Sequence, residues 1–364
     1  MTCTVLQDFD IPRAHGFTMH GWDFTGEEIR EALLHDRILN PAIELGTNVC
    51  PWNCAFCFTE DPANSEAGKR RLANEMTIDR RLQLIDELAD YGCRSINFVG
   101  AGEPTIDPHF WPLLIRMRQR GITPIVYTEA ALRLQNCDFA QRLFDSGATV
   151  VVKVNSLFDR DYQNAVVRGN AWKVALPSID YFAARNRAIE VLLDVGFADS
   201  VPTRLAFDTI ITTRNYGEIE RLHRFARSNN IFILLVNYLP SGRSSELQED
   251  AISYEKQREL FGRLAAIDAA EFGLQHATQY PYAGGVPCTI RGLGLYVKIS
   301  GDVFDCPGES QRLGSLRDQP FGALWAAAKD IRTHFDGMCL PRQLFWERVA
   351  TANERIPNSI GEKV

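Results

Sequence analysis

The chain has 364 residues, 45% hydrophobic and 23% charged, a globular composition long enough for one large domain with a smaller one appended. Acidic residues outnumber basic ones by 46 to 39, a formal charge of −7, so the basic balance of a protein that lives on nucleic acid is missing. No stretch approaches the ~20 consecutive apolar residues that cross a bilayer, which argues against a membrane-spanning reading.

Residues 1–41 are too short for a domain and are expected to pack against the larger domain that begins at residue 42. Met1-Thr2-Cys3 opens without the charged and apolar runs of a signal peptide. Nine cysteines in such a chain point to a reducing, cytoplasmic setting, where clustered thiols hold metal or do chemistry more often than they form disulfides. A first strand is predicted at Ala42–Gly46, and Cys50-Pro51-Trp52-Asn53-Cys54-Ala55-Phe56-Cys57 comes directly after it. A helix over Thr77–Tyr91 comes next, with Ile78, Leu82, Ile85, Leu88 and Ala89 on one stripe. Strands at Ser95–Gly100, Pro124–Thr128, Thr149–Asn155, Arg204–Thr212 and Ile231–Tyr238 then alternate with helices near Phe110–Arg120, Phe139–Ser146, Ile179–Val195 and Tyr216–Ser228. Gly92, Gly121, Gly147 and Gly196 each follow a helix, as helix-stop glycines do.

Six βα units with near-continuous apolar strands predict an α/β fold with a parallel sheet and right-handed crossovers. Six is too few for eight-fold closure, so a partial (β/α)6 TIM-like barrel is expected over residues 42–245. Its functional residues should gather at the C-terminal ends of the strands. After Tyr238 the alternation stops; Pro240-Ser241-Gly242 reads as a turn and Ser253–Phe272 as a helix. Residues 246–364 are expected to form a small α+β domain. There, Gly294–Ile299 and the turn Ser300-Gly301-Asp302 read as a hairpin with Cys288 before it and Cys306 after it. A two-stranded hairpin is marginal alone, and a metal cluster would hold it.

Cys50, Cys54 and Cys57 lie on one loop, so their thiolates can converge on a single metal centre. Structural zinc wants four ligands, and no fourth His or Cys is near; the next cysteine is Cys93. A 4Fe–4S cluster held by three cysteines leaves one iron open to a ligand. The spacing resembles the C-x3-C-x2-C signature of the radical S-adenosylmethionine (SAM) superfamily, whose members carry it after the first strand of a partial barrel. The resemblance implies that Cys50, Cys54 and Cys57 hold the cluster, that the open iron chelates the amino and carboxylate groups of SAM, and that Phe56 lies near the adenine. Gly100-Ala101-Gly102-Glu103-Pro104, at the end of the second strand, is similar to the family's GGEP motif. That likeness implies SAM contacts for Gly102, Glu103 and Pro104, with Glu103 at the methionine ammonium. By the same resemblance Asn155 or Ser156 at the end of the fourth strand meets the SAM ribose, Arg168 pairs with its carboxylate, and Tyr238 belongs to the cofactor site. Thr128-Glu129-Ala130 departs from the Thr-Asn-Gly of relatives; Glu129 either contacts substrate at the barrel mouth or caps the next helix.

Cys288 through Cys306 resembles the opening of SPASM and twitch auxiliary-cluster domains. Only Cys339 comes after them, which favours the shorter twitch type with one auxiliary 4Fe–4S cluster on Cys288, Cys306 and Cys339. Its fourth position is open, filled by a residue other than cysteine, or filled by Cys3. Cys93 and Cys137 read as structural. The implied chemistry is reductive cleavage of SAM to a 5′-deoxyadenosyl radical, fed by an external one-electron reductant of flavodoxin or ferredoxin type. Because little chain precedes the barrel, the expected substrate is a small polar metabolite of a specialised pathway such as antibiotic biosynthesis. A sugar, aminocyclitol or nucleoside would then be dehydrogenated or rearranged. The alternatives are a peptide maturase that crosslinks or epimerises, and a non-catalytic iron–sulfur electron carrier.

Overall fold

The computed structural model describes residues 18–59, 72–169, 179–236, 242–245, 250–274, 290–309 and 311–333. The described strands are β1 (Ala42–Glu44), β2 (Trp52–Cys54), β3 (Ser95–Gly100), β4 (Thr123–Thr128), β5 (Thr149–Lys153), β6 (Val167–Gly169), β7 (Leu205–Ile210), β8 (Phe232–Val236), β9 (Tyr296–Val297), β10 (Asp302–Phe304) and β11 (Arg312–Ser315). The described helices are α1 (Gly26–Leu34), α2 (Ile78–Asp90), α3 (Phe110–Gln119), α4 (Cys137–Asp145), α5 (Arg160–Val166), α6 (Tyr181–Val195), α7 (Ile219–Ser228), α8 (Tyr254–Phe272), α9 (Ile290–Leu293), α10 (Phe321–Ala327) and α11 (Lys329–Thr333). None of them is long and apolar enough to cross a membrane.

Strands β1, β3, β4, β5, β7 and β8 pair in parallel, and their order in space is their order in the chain. Every crossover therefore steps the same way, and the sheet is the predicted partial (β/α)6 barrel. Both strand faces are buried, which is why the strands read as nearly unbroken apolar runs. Val150, Val152 and Val154 pack outward in the core beneath the helices, whereas Val151 belongs to the cluster that fills the barrel with Ile125, Ala206, Phe232 and Leu234. On the helix side, Leu84, Ile85 and Leu88 of α2 are wholly buried, each contributing about 1.5–3 kcal/mol. Thr77 starts that helix by accepting the Arg80 N–H.

The segment ahead of β1 closes the end of the barrel opposite the strand C-termini. Met19 and Trp22 insert into the interior cluster, and the Trp22 indole donates to Asn97 Oδ1 at 2.9 Å. Ser95 and Thr149 hold the backbone there by donating to the carbonyls of Gly21 and His20.

Past the barrel, α8 packs along α7. Asp268 of α8 accepts from Arg227 at 2.8 Å and lies 2.6 Å from His223, all three buried. The predicted hairpin is present as β9 and β10, with β11 added. It is hydrogen-bonded to the barrel: β9 runs parallel to β1 and covers its open edge, making one nine-stranded sheet. Residues either side of position 245 thus share a sheet.

Candidate functional site

The cysteine loop is fixed from three sides. Residues 46–49 lie against the turn after β3: Gly46 N–H donates to Gly100 O, Gly102 N–H to Thr47 O at 3.1 Å, and Glu103 N–H to Val49 O at 2.9 Å. The approach is so close that a Cβ on Gly102 would fall 1.9 Å from the Val49 carbonyl oxygen. Gly100 turns the chain there with φ at +115°, a region that side chains avoid. From below, the buried Arg81 donates to Leu45 O and pairs with Asp107 at 3.3 Å, while Asp107 accepts the Thr47 N–H at 2.6 Å. On the third side, β2 within the loop pairs antiparallel with β6, setting Asn53 opposite Arg168 and Cys54 opposite Val167.

Cys50, Cys54 and Cys57 are all half-buried on this loop at the barrel mouth. No three His, Cys, Asp or Glu side chains among the described residues stand close enough to hold a metal ion. A 4Fe–4S cluster does not need the three thiolates to meet at one ion, because each cysteine ligates a different iron. Phe56, between the second and third cysteines, turns inward and is buried with Trp52, Tyr162 and Val166.

Glu103 and Glu129 come together. Glu103 Oε1 accepts from Thr105 N–H (3.1 Å), Thr105 Oγ1 (2.6 Å) and Thr128 Oγ1 (2.7 Å), and Oε2 accepts the Glu129 N–H at 3.0 Å. The Glu129 carboxylate turns back to accept the N–H groups of Ala131 (2.8 Å) and Leu132 (3.3 Å), beside the Trp52 indole. It therefore caps the turn after β4. Burial pushes both carboxyls above the usual carboxylate range, and Glu103 raises Glu129 further. Pro104 is buried and begins a short 3₁₀ turn over 104–106 for which Glu103 is the cap.

The two candidates after β5 separate. Ser156 is fully buried; its hydroxyl donates to Glu218 at 2.7 Å and accepts from the N–H groups of Phe158 and Asp159. Asn155 accepts the Ile210 N–H through Oδ1, but its Nδ2 is buried without a partner, as is Gln163 Nε2 nearby. An orphaned amide donor is what a ligand hydroxyl or carboxylate would satisfy. Arg168 lies on β6 directly across from the cysteine loop; its side chain is outside the described residues, as are Tyr238, Cys288, Cys339 and Cys3. Cys306 is described and buried, just after β10. The same segment is tied to the strand that leads into the cysteine loop, where Glu44 of β1 accepts from Tyr296 OH and, at 2.7 Å, from Ile299 N–H.

Three polar groups inside the barrel carry no motif and were not expected from sequence. Lys153 and Asp208 are partners across β5 and β7, their side chains 2.8 Å apart and each about 20% exposed. The Lys153 ammonium lies 5.6 Å from the centre of the Phe56 ring. Tyr127 of β4 is beside them, its hydroxyl pushed well up by burial and then by Asp208. The available signal was period-two placement: Lys153 shares the inward face with Val151, and Asp208 with Ala206 and Ile210.

Residues 45–226 match the model of the radical SAM superfamily. The chain belongs to this superfamily. Membership implies a 4Fe–4S cluster and SAM, and the loop, the adjacent GAGEP turn and the orphaned Asn155 amide fit those two groups. Among curated relatives, the mycofactocin maturase MftC of Mycolicibacterium smegmatis is 24% identical over 281 residues, 72% of this chain and 62% of that protein. The S-adenosylmethionine-dependent nucleotide dehydratase of Flammeovirga pacifica is 27% identical over 171 residues, 46% of this chain and 52% of that protein. The chain thus spans between about half and three-fifths of these relatives' lengths. Among solved structures, Streptococcus suis SuiB bound to precursor peptide SuiA superposes with a TM-score of 0.60 at 16% identity, covering 84% of this chain and 70% of that one. That likeness establishes the shared fold.

Proposed function

We propose that this radical SAM enzyme is a maturase that abstracts a hydrogen atom from a peptide held at the barrel mouth. The observation that carries the reading is the reach of the likeness to the maturases. It extends over 281 residues, well beyond the superfamily segment 45–226, whereas the likeness to the nucleotide dehydratase stops at 171. Similarity confined to the cofactor barrel reports on shared chemistry; similarity that continues past it bears on the substrate. Lys153 and Asp208 support the same reading. A cation and an anion side by side complement the carbonyl and N–H of one peptide unit, and both are partly exposed inside the barrel. The expectation of a small polar metabolite rested on how little chain precedes the barrel, which does not bear on a peptide bound by the barrel itself. A small metabolite remains the second reading, favoured by the dehydratase relative and by the polar interior around Tyr127.

In this proposal Cys50, Cys54 and Cys57 hold the cluster. Phe56, Gly102, Glu103, Pro104, Asn155, Arg168 and Tyr238 surround SAM. Ser156, its hydroxyl committed to Glu218, supports the strand end rather than the ligand. Cys288, Cys306 and Cys339 hold an auxiliary cluster, and an external flavodoxin or ferredoxin supplies electrons. When bound and reduced, the SAM cluster supplies the 5′-deoxyadenosyl radical that takes the hydrogen. The test is an anaerobic assay of reconstituted enzyme with SAM, dithionite and deuterated substrates. Deuterium appearing in 5′-deoxyadenosine from a precursor-type peptide supports the proposal. Transfer from nucleotides, sugars or aminocyclitols, with none from peptides, would replace it with the second reading.

A further inference from the structure

The cysteine loop has a fourth hold, from a residue 189 positions further along the chain. Strand β6 holds the loop as far as Ala55, whose N–H donates to Val166 O at 2.9 Å. The Thr59 hydroxyl ties its far end to Ala101 O at 3.0 Å. Across these ties lies the turn that carries Cys54 and Cys57. Its own closing bond, Cys57 N–H to Cys54 O, is 3.3 Å long, at the weak end for an amide hydrogen bond. Arg243 grips this turn at both ends. Its guanidinium donates to Cys54 O at 2.9 Å, and its backbone N–H donates to Cys57 O at 3.0 Å. Both donors belong to one residue, in a 3₁₀ turn over Gly242–Ser245 that comes after β8 in the chain. Gly242 is what lets the two backbones approach. Its φ is +58°, and a Cβ there would fall 2.4 Å from Cys57 O and 2.6 Å from C and O of Phe58, all backbone atoms. Both gripped carbonyls belong to cysteines of the motif, so the contact sets how two of the three thiolates stand relative to each other.

We propose that Gly242 and Arg243 are positioning residues of the cluster site, fixing the Cys54–Cys57 turn so that these two cysteines can capture and retain the cluster. The inference rests on the reading that this loop holds the 4Fe–4S cluster. Its own content is that the chain after β8 completes the site, a role that the turn predicted at Pro240-Ser241-Gly242 did not suggest. Groups that orient metal ligands without touching the metal are typically worth about 10–100-fold in metal affinity. Arginine suits the task because its planar fork holds a fixed direction, whereas a lysine ammonium on a flexible stem serves one carbonyl as a point donor.

The experiment follows iron release to a ferrous chelator from anaerobically reconstituted, full-length wild type, Arg243→Met, Arg243→Lys and Gly242→Ala. Cys50→Ala/Cys54→Ala/Cys57→Ala gives the baseline for iron held elsewhere. Loop iron is expected to leave Arg243→Met and Gly242→Ala at least about tenfold faster than wild type. Arg243→Lys, which keeps a donor for Cys54 O, is expected to recover much of the retention. The electron paramagnetic resonance signal of the reduced loop cluster, taken as the difference from the triple variant, should change shape in Arg243→Met and return towards wild type in Arg243→Lys. Thermal unfolding of Arg243→Met should stay at the wild-type midpoint. Release and signal equal to wild type in Arg243→Met and Gly242→Ala would overturn the proposal. Faster release that comes with a lower unfolding midpoint and is not reversed by lysine would mean general loosening, and would overturn it as well. Wild type that holds no more iron than the triple variant would instead remove the reading on which it rests.

Discussion

Replacing Gly102 by alanine tests the contact that joins the cysteine loop to the GAGEP turn, the two halves of the proposed SAM site. The new methyl would fall 1.9 Å from Val49 O, 2.4 Å from Val49 C and 2.7 Å from Val49 N. These are backbone atoms, so no side chain can swing aside, and the turn must part from the cysteine loop. Parting costs the Gly102-to-Thr47 and Glu103-to-Val49 hydrogen bonds, about 0.5–1.5 kcal/mol each. With about 1–3 kcal/mol for overpacking, the sum is on the order of 2–6 kcal/mol. Gly262→Ala is the control, since its Cβ meets nothing within 4 Å inside α8 and removes a helix glycine. The midpoint of thermal unfolding followed by circular dichroism is expected to fall by roughly 3–8 °C for Gly102→Ala and to hold or rise slightly for Gly262→Ala. Iron per chain and SAM affinity should drop in the first variant alone. If Gly102→Ala unfolds like wild type and binds iron and SAM normally, the packing between turn and loop is not what builds this site.

Arg81→Met leaves Asp107 buried without its cation, so denaturant titration should show a loss of about 3–5 kcal/mol and reconstitution should yield less iron. Lys153→Met leaves Asp208 beside Tyr127; SAM cleavage without substrate is expected to stay within about threefold of wild type while substrate conversion falls at least about tenfold, counted as 5′-deoxyadenosine and product in one assay. Burial pushes the Cys93 thiol far above the ~8.5 of a free cysteine, so raising the pH to about 9 should not expose its thiolate. Mass spectrometry after native iodoacetamide treatment should find Cys137, which is exposed, alkylated and Cys93 intact.

The barrel was legible because its strands are buried on both faces and its helices carry clear stripes. The predicted strand Pro124–Thr128 lies within one residue of β4, and the helix Phe110–Arg120 within one of α3. Strand ends ran long where apolar residues continue past the ladder, as at Val154 and Asn155 after β5. The helix predicted from Phe139 begins at Cys137, because Asn136 caps it by accepting the Phe139 N–H. The Thr25–Glu28 capping box of α1 is a local signal without a long apolar stripe behind it, and no helix was expected there. The motifs located the cysteine loop and its partner turn, but contacts between distant segments had no local trace. Arg81 and Asp107, 26 residues apart, meet only through the crossover geometry, as do Lys153 and Asp208. Glu129 showed the limit most sharply: two roles were open to it in sequence, and the fold supplies the capping bonds together with a second carboxyl that neither role anticipated.

The most direct test of the central claim is iron content and 5′-deoxyadenosine formation from SAM under strong reductant, comparing anaerobically reconstituted wild type with Cys50→Ala/Cys54→Ala/Cys57→Ala. The expected result is loss of about four irons per chain and of all SAM cleavage in the triple variant, with any cluster on Cys288, Cys306 and Cys339 remaining. Cleavage that survives the triple substitution, or a fully iron-loaded wild type that binds SAM and never cleaves it, would contradict the assignment of this loop as the seat of the chemistry.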